Sequence, residues 1–95
     1  VKTVTFQRND DVSTDLASFH DVTIDAPLEK LVSMFGEPIF EEGGKVTHEW
    51  ILEGNDGTVV TVYDYRFNGA HQRYWHVGGA DKLACLKFSR WFNSQ

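Results

Sequence analysis

The stretch KVTHEWILEGNDGTVVTVYDY, Lys45 to Tyr65, decides how this chain of 95 residues folds. Val46, His48, Trp50 and Leu52 alternate with Thr47, Glu49, Ile51 and Glu53, the period of two that a strand needs to turn one face inward. Gly54-Asn55-Asp56-Gly57 follows, a cluster that tolerates positive φ and joins this strand to Thr58–Tyr65 as an antiparallel hairpin. In the second arm Tyr63 and Tyr65 share one face, with Val60, Val62 and Asp64 on the other. Large or β-branched groups on both faces mark a central strand. Arg66 to Arg73, with Asn68-Gly69, reads as a second turn, and Tyr74 to Val77 as a returning strand, so a three-stranded meander is expected.

On the N-terminal side, Asp25-Ala26-Pro27 is expected to open a helix, with Asp25 near the N-cap and Pro27 in the first turn. Leu28, Leu31, Val32 and Phe35 follow at i, i+3, i+4 and i+7, forming one apolar stripe opposite Glu29, Lys30 and Ser33. Gly36 and Pro38 end it after about ten residues. Trp50 and Leu52 should lie beneath Leu28, Leu31 and Phe35. Val1 to Phe6 alternates as a strand, Arg8 to Ser13 carries turn residues, and Phe19 to Ile24 reads as a short strand with Val22 and Ile24 on one face. Glu41-Glu42-Gly43-Gly44 is a turn. After Gly78-Gly79 a second helix is expected with Asp81 at its N-cap. Its apolar row is Ala84, Phe88 and Trp91, widened by Leu83, Leu86 and Phe92. The fold class is therefore α+β, an antiparallel sheet of about four to five strands packed on two helices, in a two-layer single domain over residues 1–95.

Composition narrows the function classes. With 41% hydrophobic residues the chain has apolar surface for one core but not two, and 14% aromatics with two prolines argue against disorder. No apolar run approaches the ~18 residues of a membrane span. Cys85 has no second cysteine to pair with, which points to a reducing, cytoplasmic setting, and no basic-then-apolar leader is read at the start. Net charge is −5, unevenly spread. Residues 1–60 hold twelve acidic groups against Lys2, Arg8, Lys30 and Lys45, whereas residues 61–95 hold Asp64 and Asp81 against five basic ones. Such a field steers a basic partner to the N-terminal part and disfavours nucleic acid there.

Residues capable of chemistry are present without a recognisable arrangement. His20, His48, His71 and His76 lack metal-ligand spacing, so neither a metal nor another cofactor is expected. His48, alternating with buried-face residues, reads as a satisfied core or interface histidine, and His71 as a loop residue. Cys85 with His76 is the only thiol and base pair, and the apolar neighbours of Cys85 argue for a small buried residue. Glu49 with Glu53, or Glu49 with Asp64 across the hairpin, are the available carboxylate pairs. Trp75-His76-Val77-Gly78-Gly79, running from a strand into a helix, is the most suggestive segment. Two glycines at a helix N-terminus let backbone amides approach an anion, with Arg73 and His76 nearby. The competing reading is a tight turn that needs positive φ. Aromatics also exceed what a small core must hide, and an exposed aromatic patch serves a partner or a self-contact.

Four segments, Phe35-Gly36-Glu37-Pro38, Lys45 to Trp50, Asp56 to Tyr65 and Trp75 to Gly79, together resemble small accessory domains of phage and virus genomes over residues 19–79. The resemblance implies a compact protein that binds and inhibits a host factor in the host cytoplasm, and it carries over no catalytic residue. The leading expectation is thus a non-enzymatic protein-binding module, an inhibitor or modulator that meets a basic partner through Glu49, Glu53, Tyr63, Tyr65 and Trp75. The alternatives are a small-molecule or nucleotide binder using Arg73, His76, Gly78 and Gly79, and a self-assembling structural protein, a homo-oligomer.

Overall fold

The alternation in the Lys45–Tyr65 stretch becomes β4 (His48–Gly54) and β5 (Val59–Tyr63), paired antiparallel with Trp50 opposite Val62 and Leu52 opposite Val60. These four side chains are fully buried. The structure, a computed structural model, describes residues 4–95. Around the hairpin stand β1 (Phe6–Arg8), β2 (Ser18–Asp25), α1 (Leu28–Phe35), the two-residue β3 (Ile39–Phe40), β6 (Tyr74–Gly79) and α2 (Lys82–Asn93), with a 3-10 turn at Gly69–His71. The sheet has six strands in the order β1-β4-β5-β6-β2, β3 pairing with β4, and every pairing is antiparallel. β5 is central, as the bulk on both its faces requires. Of the strand expected at Val1–Phe6, residues 1–3 lie outside the described residues, and β1 begins at Phe6.

Both helices cover one face of this sheet. Leu31 and Phe35 of α1 and Cys85, Phe88 and Phe92 of α2 close over Trp50, Leu52, Val60, Val62, Trp75 and Val77, with Val22 and Ile24 from β2 completing the core. Phe35 and Phe88 bring the helices together at 6.4 Å between ring centroids. Each fully buried side chain of this size contributes about 1.5–3 kcal/mol, so the aliphatic and aromatic stripes account for the layering. Leu83, expected to widen the stripe of α2, is 56% exposed, and Cys85 and Ser89 fill that side instead.

Three local expectations change. Asp25 does not cap α1, because the β2–β6 ladder runs past it: Ala26 N–H bonds Arg73 O at 2.7 Å, and the Asp25 carboxylate accepts from Arg73 Nε at 2.8 Å. Pro27 stands at the N-cap and α1 is eight residues long. At the other end Gly36 takes φ 85°, a value that favours glycine, and its N–H bonds Val32 O at 2.8 Å. No basic residue sits in the last turn of α1. Arg8 of β1 serves there, donating to the carbonyls of Phe35 and Glu37, while Trp50 Nε1 donates to Gly36 O at 2.8 Å. These bonds satisfy carbonyls that a helix end leaves without partners.

The second change concerns β2, which is longer than Phe19–Ile24 and bulged. Between the pairs Phe19–Gly78 and Thr23–His76 it holds two more residues than β6 does, and Asp21 sits at φ 62°. The third concerns Gly78 and Gly79, which are not a turn: both are strand residues of β6 without positive φ. Their smallness serves packing. A Cβ on Gly78 would stand 2.5 Å from Thr61 Oγ1, and one on Gly79 3.0 Å from Cys85 Sγ, so α2 approaches β6 only because glycine is there.

Candidate protein-interaction face

Where Trp50, Val60, Val62, Trp75 and Val77 point into the core, their neighbours in sequence line the opposite, helix-free face of the sheet. The register sets them in rows. Glu49, Tyr63, His76 and Thr23 form one row across β4, β5, β6 and β2, and Ile51, Thr61, Gly78 and Phe19 form the next. Glu53 lies opposite Val59 beyond them. His76 is the centre of the aromatic part, stacked on Phe19 at 4.3 Å and on Tyr65 at 5.7 Å, with the edge of Tyr63 at 5.4 Å. Phe19 is 40%, Tyr65 45% and Tyr74 67% exposed. Gly78 lies beneath the cluster, where a Cβ would clash with Thr61 Oγ1 and only touch the Tyr63 ring.

Charge borders the rings on the β4 side. Glu49 is half-buried, and burial, reinforced by the nearby Glu41 carboxylate, raises its pKa above the ordinary carboxylate value. Tyr63 is shifted upward as well, first by burial and then by Cys85 and Glu49. Glu53 accepts from Asn9 Nδ2 at 3.1 Å, which ties the segment after β1 to this edge of the face. Thr14 and Ala17 of that segment reach a shallow depression shared with Glu49, Thr61 and Tyr63.

The residues expected to serve a partner therefore divide. Glu49, Glu53, Tyr63 and Tyr65 do lie on or beside one face. Trp75 does not: it is fully buried, opposite Ile24, with Nε1 donating to Ala26 O at 2.9 Å and its ring 5.3 Å from Trp50. The period of two that puts His76 outside forces Trp75 inside. The expected anion set is split: Arg73 and His76 border one depression, and Gly78 and Gly79 are not part of it. Arg73 precedes β6 and Gly79 ends it, roughly 20 Å away at the rise of a strand. His76 joins the aromatic cluster, and the amides at the start of α2 already meet the Asp81 carboxylate, which accepts from Ala84 N–H at 2.8 Å.

The carboxylate pair of Glu49 and Asp64 is not assembled either, because Asp64 shares the parity of Val60 and Val62 and is buried away from Glu49. Cys85 is fully buried, and burial, then the nearby Asp81, pushes its thiol pKa up, the opposite of what a nucleophile needs. Among the described residues no group of His, Cys, Asp and Glu could hold a metal ion, and no helix is long and apolar enough to cross a membrane. Phe19 was the contributor that sequence reasoning missed. Its pairing opposite Gly78 depends on the bulge at Asp21, which no local pattern announces. No family model, no curated protein and no solved structure matches this chain.

Proposed function

We propose that this chain is a non-enzymatic protein-binding module whose helix-free sheet face receives a basic surface of another protein, acting as an inhibitor or modulator by occupying it. The observation that carries the reading is the exposed stack of Phe19, His76 and Tyr65 beside the Glu49–Tyr63 row. Tyr rings bordered by carboxylates suit Lys and Arg side chains, which gain both ion pairing and contact with a ring face. Twelve acidic residues among the first 60 add a long-range field of the same sign.

The test compares proteins captured from a lysate by wild type, by the double variant Tyr65→Ala with Tyr74→Ala, and by the off-face control Leu83→Ala. A partner kept by wild type and control but lost by the double variant is then studied kinetically. Raising salt from about 0.05 to about 0.5 M shortens the Debye length from roughly 14 to 4 Å and should slow association several-fold with little change in dissociation. Equal capture by the double variant, or an association rate indifferent to salt, overturns the reading.

A further inference from the structure

At the end of the helix-free face farthest from Glu53, the polypeptide between β5 and β6 forms a cationic notch in an otherwise acidic protein. It is a depression of about 300 Å³ lined by Arg66, His71, Arg73 and His76, with Tyr65 and Tyr74 at its sides. The floor is held by Gln72, a buried side chain that accepts from Asn68 N–H at 2.9 Å and donates to Tyr74 O at 2.6 Å. Arg73 uses Nε on Asp25, and its two terminal nitrogens make no hydrogen bond among the described residues. Arg66 makes none of the ion pairs found there. Arg73 is thus paired through Nε alone and Arg66 with no carboxylate among the described residues, and two imidazoles add N–H donors.

The backbone at Arg66 supplies a separate observation. Its φ is 60°, the left-handed region, which is costly for a residue with a side chain. The other left-handed positions among the described residues are Gly36, Gly43, Gly57, Gly69 and Asp21. Arg66 N–H bonds Lys45 O at 2.7 Å, and its guanidinium carbon lies 5.7 Å from the centroid of the Tyr65 ring. A long cation is therefore kept where glycine would sit without strain, and backbone strain of this kind concentrates at ligand clamps.

We propose that the notch binds a phosphate monoester dianion on an aromatic carrier, the chemistry of a nucleoside monophosphate. The terminal nitrogens of Arg66 and Arg73 receive the phosphate oxygens, His71 adds a donor, and the Tyr65 or Tyr74 ring stacks on the carrier. The volume matches the small end of ligand pockets, ~300 Å³. A nucleic-acid strand is disfavoured because its further phosphates would meet the acidic remainder of the surface, whereas a compact dianion reaches only the notch. The notch shares Tyr65, Tyr74 and His76 with the proposed docking face, but its anion donors Arg66, His71 and Arg73 lie outside that face's acidic row, so Arg66→Gly and Arg73→Gln test the notch separately.

The experiment is a titration of isotope-labelled protein, followed by backbone amide and arginine Nε resonances, with inorganic phosphate, with AMP and with adenosine in separate arms. Phosphate should shift Arg66, Arg73 and the amides of residues 65–76 with roughly millimolar affinity. AMP should bind at least ten-fold tighter and adenosine without saturation. Tyr74→Ala with Tyr65→Ala should erase the advantage of AMP while phosphate binding survives. Arg66→Gly should abolish both while leaving Tm unchanged or raised, because the strain is relieved. Arg73→Gln should weaken both at least five-fold. The proposal is overturned if neither phosphate nor AMP gives saturable shifts, if the shifts centre on Gly79 and the start of α2, if adenosine matches AMP, or if Arg66→Gly binds as wild type or lowers Tm.

Discussion

His48 Nδ1 lies 2.8 Å from Oδ2 of Asp64, a carboxylate with no exposed surface. The same carboxylate accepts from Thr47 N–H at 2.8 Å, from the Thr47 hydroxyl at 2.6 Å and from His48 N–H at 3.2 Å. One side chain beyond the end of β5 thereby fixes the first residues of β4, and Phe67 stacks on the His48 ring at 4.2 Å to seal the site. Asp64→Ala would leave these part-buried donors without their partner. The expected cost is about 1–3 kcal/mol, read as a fall in the urea midpoint at constant slope. A loss below about 1 kcal/mol would show the network to be dispensable.

Acid stability should carry the signature of the same carboxylate. Burial alone would raise the pKa of Asp64, but the bonds from Thr47 and His48 outweigh it and hold the pKa below the ordinary aspartate value. The unfolded chain therefore binds the proton first, and stability rises with pH across this window. The contribution is complete above about pH 4 and disappears as pH falls through the lower folded pKa. Asp64→Asn should flatten this acid limb in a series of melts between about pH 2 and 5.

Glu49 has the opposite sign. Its folded pKa is raised, so the folded state holds the proton longer and stability declines as pH climbs from the ordinary glutamate value to the raised one. Glu49→Gln should match wild type below about pH 4 and exceed it at neutral pH. A gain on the order of 0.5 kcal/mol would appear as roughly 2–4 °C in Tm. Equal melting at pH 7 would show that Glu49 is solvated better than its burial suggests.

Leu31 is fully buried on the inner side of α1, in one core cluster with Trp50 and Phe35. Leu31→Ala should cost about 2–5 kcal/mol by denaturant titration, with the spread set by how far the helices settle into the cavity. An unchanged midpoint would mean that α1 does not close the core.

Gly78 tests the aromatic face from beneath. A Cβ there meets Thr61 Oγ1 at 2.5 Å, so Gly78→Val should destabilise by about 1–3 kcal/mol. It should also loosen the stack, moving the ring-current-shifted proton signals of His76 and Phe19 toward random-coil positions. Loss of stability with the stack intact would show that glycine is needed only by the ladder.

The meander, the stripes on both helices, the Asp81 cap and the Gly36 terminus were legible in the sequence, because each depends on residues within one turn or one strand period. So was the parity that buries Asp64 with Val60 and Val62 and sends Tyr63 the other way. Half of the helix-free face follows from that parity, whereas aromatic abundance alone puts Trp75 on the wrong side. What the chain alone left open needs a second segment to decide it. Asp25 reads as a helix cap until Arg73 claims it from the neighbouring strand, and Gly78-Gly79 reads as a turn until Thr61 and Cys85 are seen to crowd it from the two faces of the sheet. Phe19 meets His76 only because the bulge at Asp21 resets the register. Local hydrogen bonding and side-chain period act over a few residues and can be read from their order, whereas steric fit between strands distant in sequence exists only once the sheet has formed.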